Sequence, residues 1–169
     1  LILCKPGQGA ELQTRLTRWL EARKLKLNEA KTRLVDTRKE GIEFLGFSVA
    51  WRQGLKSQRW YPHVEPSAKS QAKLRDKVRA VLEVRTRNQT AVAVVRKVNQ
   101  ITRGWAGAFH YGNSTHVFGQ QQTFVRNRLR RWLWRKYRRT HGLFSFFTDD
   151  RLAGQYKLWN WPLTAAGQR

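Results

Sequence analysis

The stretch RNRLRRWLWRKYRR, from Arg126 to Arg139, constrains the fold of this chain more than any other part of the sequence. It places eight cationic side chains in fourteen residues and separates them with leucine, tryptophan and tyrosine. At 100° per residue one side of a helix holds Val125, Leu129, Trp132 and Leu133, and the neighbouring side holds Arg128, Arg131, Arg135, Arg138 and Arg139. A disordered tail would show no such phase, so the stretch predicts an ordered helix with a buried face and an arginine face.

The net charge indicates what such a face would contact. The 169 residues contain 34 Lys plus Arg against 11 Asp plus Glu, which gives a formal charge of +23. A hydrophobic content of 40% can fill a core, so disorder is not expected. Because like charges repel, a polyanion would stabilise the compact state, and nucleic acid is the leading partner. The simpler alternative is a solvated face, although no acidic residue between Glu83 and Asp149 balances the arginines.

Other classes of site and partner are disfavoured. No apolar run approaches the roughly 20 residues that span a bilayer, so no membrane span is expected, and peripheral binding to an anionic membrane is a disfavoured alternative to nucleic acid. The single Cys4 excludes an internal disulfide, and the four histidines are too far apart in sequence for a zinc pattern. LILCKPG, residues 1–7, predicts a buried strand followed by a turn, and the lack of an initiator Met suggests a chain cut from a longer one.

The first third of the chain predicts mixed secondary structure. Apolar residues at helical spacing predict a helix from Ala10 to Leu25. Branched and aromatic residues predict strands over Lys31–Thr37 and Ile42–Trp51, with RKEG as the hairpin turn between them. Two prolines in Tyr61–Ser67 predict a domain boundary.

The remaining two thirds predict helices, so the fold class is α+β with a helical bundle in the second part. AKLRDKVRAVLEVR starts the first of them, with Ser67 or Ser70 as its cap. The second covers Thr90 to Gly112. The third runs from about His116 to His141, with Thr115 as a cap and Gly142 as the stop.

Four stretches together resemble one family, the reverse transcriptase and maturase proteins encoded by group II introns. LNEAKT (27–32) and FLGF (44–47) are similar to the last two polymerase motifs of that family, in the same order and with similar separation. ITRGWAGAFHYGNSTHVF (101–118) is similar to its maturase-specific signature. GQYKLWNWPL (154–163) resembles a short tail motif that follows.

The resemblance implies a C-terminal fragment of a larger enzyme. Residues 1–60 would be the end of the palm (a helix plus a β-hairpin), residues 61–90 the connection and first thumb helices, and residues 91–169 the rest of the thumb and maturase domain X. In the family the two catalytic aspartates stand in a Tyr-x-Asp-Asp turn immediately before the strand that LILCKPG resembles. That turn would lie upstream of this sequence. The resemblance therefore implies an RNA-directed DNA polymerase that uses Mg²⁺ when full-length, and a fragment that is inactive alone.

FTDD, residues 147–150, mimics the missing turn in sequence only. Polymerase carboxylates hold two Mg²⁺ ions about 4 Å apart at a tight turn of a sheet. FTDD instead follows the basic helix and precedes RLAGQY, which does not resemble a strand. Asp149 or Asp150 is better interpreted as an N-cap, and no metal site is expected in this fragment.

Two groups of residues would serve the polymerase. By resemblance, Lys31 would stand near the triphosphate as a possible proton donor to the leaving pyrophosphate. Phe44, Leu45, Gly46 and Phe47 would form the hairpin that grips the primer. Core packing is preferred for Phe47, whereas for Leu45 and Gly46 primer contact and a purely structural role both stay open.

The expected RNA contacts are basic residues that follow phosphates without reading sequence. Trp134 is out of phase with the apolar side and is expected to be free for stacking or for another protein surface, whereas Trp105 is expected to be buried. The cations expected on the RNA–DNA primer-template duplex are Lys69, Lys73, Arg75, Lys77 and Arg79. Those expected on intron RNA are Arg126, Arg128, Arg131, Arg135, Arg138 and Arg139.

Three functions remain open on the sequence. The first is a cytoplasmic, bacterial reverse transcriptase that also promotes splicing of its intron. The second is a non-enzymatic RNA-binding splicing factor that retains only the thumb and domain X. The third, a small nucleic-acid-packaging protein, is disfavoured by the ordered polymerase-like motifs.

Overall fold

The computed structural model of the protein describes residues 1–140 and 142–162. It is an α+β structure, as the sequence predicts, with one three-stranded antiparallel sheet and several helices. Two compact units are distinguished: the first contains Leu1–Phe44 and Val49–Pro62, and the second contains Leu45–Ser48 with the described residues from His63 onward. His141, the predicted end of the third bundle helix, and Leu163 of the tail motif lie outside the described residues.

Helix α1 (Gly9–Glu21) ends four residues before the predicted Leu25. Lys24 adopts a left-handed conformation with φ 58°, and the N–H of Leu25 donates to the carbonyl of Leu20 at 3.0 Å. This is the usual hydrogen-bonding pattern of a helix terminus, although glycine more often holds the left-handed position. A short 3₁₀ turn, Glu29–Lys31, follows.

The strands are β1 (Ile42–Phe44), β2 (Phe47–Gln53) and β3 (Trp60–Pro66), in the sheet order β1-β2-β3. The prediction of one continuous strand over Ile42–Trp51 was wrong. Leu45 and Gly46 form a turn between β1 and β2 with φ 49° and 84°, and two positive φ values are what a tight two-residue hairpin requires.

Two other predicted strands are absent from the described residues. Residues 32–36 have no regular secondary structure and join no sheet. Asp36 starts a local turn: its carbonyl accepts from the N–H groups of Lys39 and Glu40, and its Oδ1 accepts from the Arg38 N–H at 3.1 Å. The strand expected over residues 1–7 does not form either. Its side chains are exposed, at 65%, 58% and 75% for Leu1, Ile2 and Leu3, so the segment buries no apolar face.

The second unit is a helical bundle. Its long helices are α2 (Ala68–Val81), α3 (Ala91–Phe109) and α4 (Thr115–Lys136), and α2 packs against both others. A 3₁₀ turn, Val84–Asn88, connects α2 to α3. Two short helices follow α4, namely α5 (Leu143–Phe146) and α6 (Asp149–Gly154).

The helix ends are set by local hydrogen bonds. Ser67 caps α2 as predicted, since its Oγ accepts from the Ser70 N–H at 3.2 Å. Thr115 is not a cap, because Ser114 precedes the helix and its hydroxyl donates to the carbonyls of Phe109, at the end of α3, and Tyr111. Helix α4 ends at Lys136 rather than near residue 141, because Arg138 turns left-handed at φ 48°.

The core of the second unit joins the three long helices to the segment after α4. Trp105 is half-buried and lies at the centre of a group of aromatic rings. Its ring centre is 5.6 Å from that of Phe118 and 5.8 Å from that of Trp161. Asn99 holds the tail, donating to the Lys157 carbonyl at 2.8 Å and accepting from a later N–H at 2.9 Å. The fully buried side chains from the helices and tail include Leu74, Val78, Val94, Val98, Val125, Leu129, Leu133, Phe147 and Leu152.

Candidate nucleic-acid interface

Helix α4 separates apolar from cationic side chains as its sequence predicts. Val125, Leu129, Trp132 and Leu133 are each at most 3% exposed, and they face the core of the second unit. Trp132 is also fixed through its Nε1, which donates to the hydroxyl of Thr86 at 3.0 Å. The helix is therefore anchored along its length, and the arginines on its other side stand on a rigid support.

Three of the predicted arginines lie together on the outer side of α4. Arg131 and Arg135 are exposed, and Arg128 is half-buried beside them. They surround a small notch with Arg87, which comes from the 3₁₀ turn before α3. The buried Nε of Arg128 donates to no acceptor among the described residues, so one donor in this cluster is unused. Glu83 also lines the notch, and its carboxylate pairs with Arg85 at 2.8 Å.

Two cations of α2 extend this surface. The guanidinium carbons of Arg75 and Arg79 lie 5.6 and 5.4 Å from the ring centre of Phe124, on α4. Arg75 Nε also donates to Gln121 Oε1 at 2.9 Å, which fixes it against α4. We call the combined surface the arginine face. It is made of Arg75, Arg79, Arg87, Arg128, Arg131 and Arg135.

The dimensions of the arginine face suit a phosphate backbone. From Phe124 to Arg135 the helix rises about 16 Å at 1.5 Å per residue. Phosphates of one strand recur about every 3.4 Å along a duplex axis, so the face can follow several of them. Guanidinium groups donate two parallel hydrogen bonds to a phosphate, which favours arginine at such a surface.

The five cations predicted on α2 do not form one surface. Lys73 and Lys77 lie on the other side of the helix from Arg75 and Arg79, in a groove between α2 and α3. Lys69 is exposed and lies one turn before Lys73. The periodicity of α2 explains the division, because positions 69, 73 and 77 share one side of a helix and positions 75 and 79 another.

The groove contains part of the predicted primer grip. It has a volume of about 660 Å³. Leu45 is 80% exposed, and a Cβ on Gly46 would come within 2.8 Å of Ser70 Oγ, so the turn closely approaches α2. Phe47 packs against Phe109 with ring centres 5.0 Å apart, in agreement with the preference for core packing. The groove is lined by Leu45, Gly46, Lys73, Lys77, Trp105 and Phe109 among others.

The other two polymerase candidates belong to the first unit. Phe44 ends β1 and is 41% exposed. Lys31 is exposed at the end of the 3₁₀ turn, and its backbone N–H donates to Asn28 Oδ1 at 3.2 Å. Neither side chain makes a contact that assigns it a role.

Arg126 differs from the other arginines predicted to bind RNA. Its Nη1 donates to Asp149 Oδ2 at 2.8 Å and its Nη2 donates to Asn160 Oδ1 at 3.0 Å. The guanidinium therefore ties α4 to α6 and to the tail, on the side away from the arginine face. Arg138 and Arg139 follow the end of α4 and lie in the turn before α5 rather than on the helix.

FTDD, residues 147–150, contributes to the contact between α4 and α6. The N-cap of α6 is Thr148, whose Oγ1 accepts from the Arg151 N–H at 3.2 Å, so the assignment of the cap to Asp149 or Asp150 was wrong. Asp149 accepts from Arg126 and from the buried Arg130. Threonine at this position satisfies the free N–H of the first turn, and the aspartate is left to pair with the arginines.

Three residues of the interface region were not anticipated from sequence. Arg87 joins the arginine face from a separate turn, and no helical pattern could have placed it there. Arg130 is buried by contacts with residues after α4, which helical phase alone does not reveal. Trp134 is half-buried and packs against the core, so the prediction that it is free for stacking was wrong.

Neither a cluster of metal ligands nor a membrane-spanning helix occurs in residues 1–140 and 142–162. No three His, Cys, Asp or Glu side chains come together there in a way that could hold a metal ion. The described helices also include none that is long and apolar enough to cross a membrane.

A protein family model matches most of the helical bundle. Residues 71–147 match the family model described as group II intron, maturase-specific domain. The matched range begins within α2 and ends after α5, so it contains every residue of the arginine face. A search of curated proteins found no match to the chain.

Proposed function

We propose that this chain, which carries a group II intron maturase-specific domain over residues 71–147, binds intron RNA through the arginine face and so promotes splicing. The domain itself implies a maturase function in intron splicing. The observation that carries the more specific proposal is the placement of Arg128, Arg131 and Arg135 on the outer side of an anchored helix. They occur in the domain that has the maturase match.

The chemistry of the face favours RNA over a smaller anion. Six guanidinium groups are distributed along α4 rather than converging on one closed pocket. Binding along a phosphate backbone releases counterions, which provides affinity without reading sequence. The hydrogen bond from Arg75 to Gln121 holds that side chain in place before RNA binds, which lowers the entropic cost of binding.

Direct measurement of RNA binding tests the proposal. The triple variant Arg128→Gln, Arg131→Gln, Arg135→Gln should bind a structured group II intron transcript more weakly than wild type. Because each lost phosphate contact lowers the slope of log affinity against log salt by about one, the slope should fall by about three. Fluorescence anisotropy over a salt series measures both quantities.

A matched variant separates the face from the net charge. Arg15→Gln, Arg18→Gln, Lys26→Gln also removes three positive charges, from exposed positions of the first unit. It should keep most of the affinity and of the salt slope. Equal losses in the two variants, or an unchanged triple variant of α4, would show that the arginine face is not the RNA-binding surface.

We further propose that the full-length protein is an RNA-directed DNA polymerase. The support is the resemblance of LNEAKT and FLGF to polymerase motifs, together with a groove in which the Leu45–Gly46 turn lies beside Lys73 and Lys77. The Mg²⁺ ligands would lie outside this sequence. Replacing Lys31 with Ala in the full-length enzyme should slow primer extension. An unchanged extension rate would contradict the proposal that Lys31 donates a proton to the leaving pyrophosphate.

The alternative is a non-enzymatic splicing factor, which the RNA-binding face would serve equally well. The reading frame upstream of Leu1 distinguishes the two. A Tyr-x-Asp-Asp sequence immediately before LILC is expected for the polymerase. Its absence would leave splicing as the function.

A further inference from the structure

A second group of side chains stands at the end of α4 and is chemically different from the arginine face. It combines aromatic rings with arginines, and it lies in the turn after α4, in α5 and in α6. We call it the C-terminal aromatic cluster. Its members are Tyr137, Arg139, Phe144, Phe146 and Arg151.

The centre of the cluster is a phenylalanine between two guanidinium groups. The Cζ atoms of Arg139 and Arg151 lie 3.8 and 3.9 Å from the ring centre of Phe146. Arg151 is also fixed by donating to Gln155 Oε1 at 2.6 Å and to the Phe146 carbonyl at 3.3 Å. Arg139 is exposed, and no carboxylate among the described residues forms an ion pair with it. The Phe146 ring therefore holds the Arg139 guanidinium at the surface, where a second planar group can stack on it.

Exposed rings accompany this stack. Phe144 is 60% exposed although it is fully apolar, and Arg130 Cζ lies 5.2 Å from its ring centre. Tyr137 is 47% exposed, and a hydrogen bond joins its hydroxyl to that of the buried Tyr156. The arginine face has no comparable ring, because Phe124 lies under two guanidinium groups and Trp132 is buried.

We propose that the C-terminal aromatic cluster binds unpaired nucleotides of the RNA by stacking their bases on Arg139 and Phe144. Unpaired bases stack on aromatic rings and on guanidinium planes, which is the common way that proteins recognise loops and bulges. Base-paired RNA does not offer its base faces, so it would contact only the phosphate-directed arginines. The domain thus prefers helical RNA that carries a loop or bulge. This inference depends on the proposed RNA binding.

The cationic setting favours RNA over a protein partner. Arg138 and Arg139 are exposed at the cluster, and Arg130 and Arg151 flank its phenylalanines. An apolar protein surface would have to desolvate these charges without neutralising them. A nucleotide provides a base for the ring and a phosphate for the charge together.

Two RNA probes and two variants test the inference. The probes are a fully paired RNA duplex and the same duplex interrupted by a short adenine bulge. Phe144→Ala removes the exposed ring. Arg139→Lys keeps the positive charge but removes the planar guanidinium group. Both side chains are exposed, so circular dichroism and thermal melting should match the wild type.

The expected result is selective. Each variant should lose about five-fold or more in affinity for the bulged RNA, the loss expected for one stacked base, and less than two-fold for the paired duplex. Phe144→Tyr should retain binding of the bulged RNA. Equal losses on both probes, or none on either, would overturn the inference and leave the arginine face as the RNA-binding surface.

The two proposals fail in different ways. The triple variant of α4 should lose affinity for both probes, because both present phosphates. A wild-type protein that binds neither probe would overturn RNA binding and base stacking together. If Phe144→Ala leaves both RNA affinities unchanged but abolishes association with a protein, the cluster is a protein contact and the inference is wrong.

Discussion

Arg130 and Asp149 form an ion pair that joins α4 to the first turn of α6. The arginine side chain is 10% exposed, and its Nε also donates to the Phe147 carbonyl at 2.7 Å. Arg126 donates to the other carboxylate oxygen of Asp149. One aspartate thus pairs with two arginines of the same helix and reduces the repulsion between them.

Replacing Asp149 with Asn should destabilise the protein. The change removes the charge that balances the largely buried Arg130, and a hydrogen bond to a charged group contributes about 1.5–3 kcal/mol. Because Asp149 is 49% exposed, solvent screening should bring the loss to about 1–2 kcal/mol. Urea denaturation measures it. Asp150→Asn is the matched control at an exposed neighbour, and an equal loss there would contradict the assignment.

Gly46 should not tolerate alanine. Its φ of 84° is a left-handed conformation, which costs other residues about 1–2 kcal/mol. The new Cβ would also lie 2.8 Å from Ser70 Oγ and 3.1 Å from Phe109 Cζ. Thermal melting should show a loss of stability for Gly46→Ala. Gly119→Ala is the contrast, because that glycine is helical with open space around it, and the change should stabilise by about 0.5–1 kcal/mol.

The two faces of α2 should act separately in binding. Lys73→Gln with Lys77→Gln removes two charges from the groove beside Leu45, so it should weaken binding of an RNA–DNA duplex and reduce its salt slope by about two. Binding of a paired RNA stem by the arginine face should change less than two-fold. Arg75→Gln with Arg79→Gln should have the opposite selectivity. Identical effects of the two double variants on both nucleic acids would mean that α2 presents a single surface.

Tyr156 should make stability fall at high pH. Burial raises the pKa of its hydroxyl above the ordinary value of 10.0, and the neighbouring Tyr137 raises it further. Because the folded state favours the protonated hydroxyl, this contribution is complete below pH 10 and is lost as pH rises through the higher folded pKa. Tyr156→Phe should therefore flatten the decline in unfolding free energy above pH 10. Tyr111→Phe, at an exposed ring, should retain the decline seen in the wild type.

Sequence predicted the helices better than the strands, and the difference has a physical cause. The apolar phase of α4 identified its buried face because Leu129 and Leu133 repeat at helical spacing over several turns. The Leu45–Gly46 turn was not predicted, because a two-residue turn hardly interrupts the alternation of apolar and polar side chains along the two strands. The predicted ends of α1 and α4 were also wrong. Lys24 and Arg138 end these helices in left-handed conformations, which are more usual for glycine, so their residue types gave no sign of a helix end.

The candidate interface was predictable only within single helices. Arg128, Arg131 and Arg135 were grouped correctly because they share one side of α4. Arg87 joins them from a separate turn, and Arg130 is buried by its contacts with Phe147 and Asp149, which follow α4. Contacts of that kind depend on how elements pack, and periodicity carries no information about them.

The tail after α6 completes the core, and this affects how the domain can form. Leu152, Tyr156, Leu158 and Trp161 are all buried, yet they follow the last residue of the matched range, Phe147. During synthesis, α2, α3 and α4 emerge from the ribosome before the tail residues that cover their aromatic centre. The bundle can reach its final packing only after Trp161 has been made, so a protein shortened to residues 71–147 would have an open core and a tendency to aggregate.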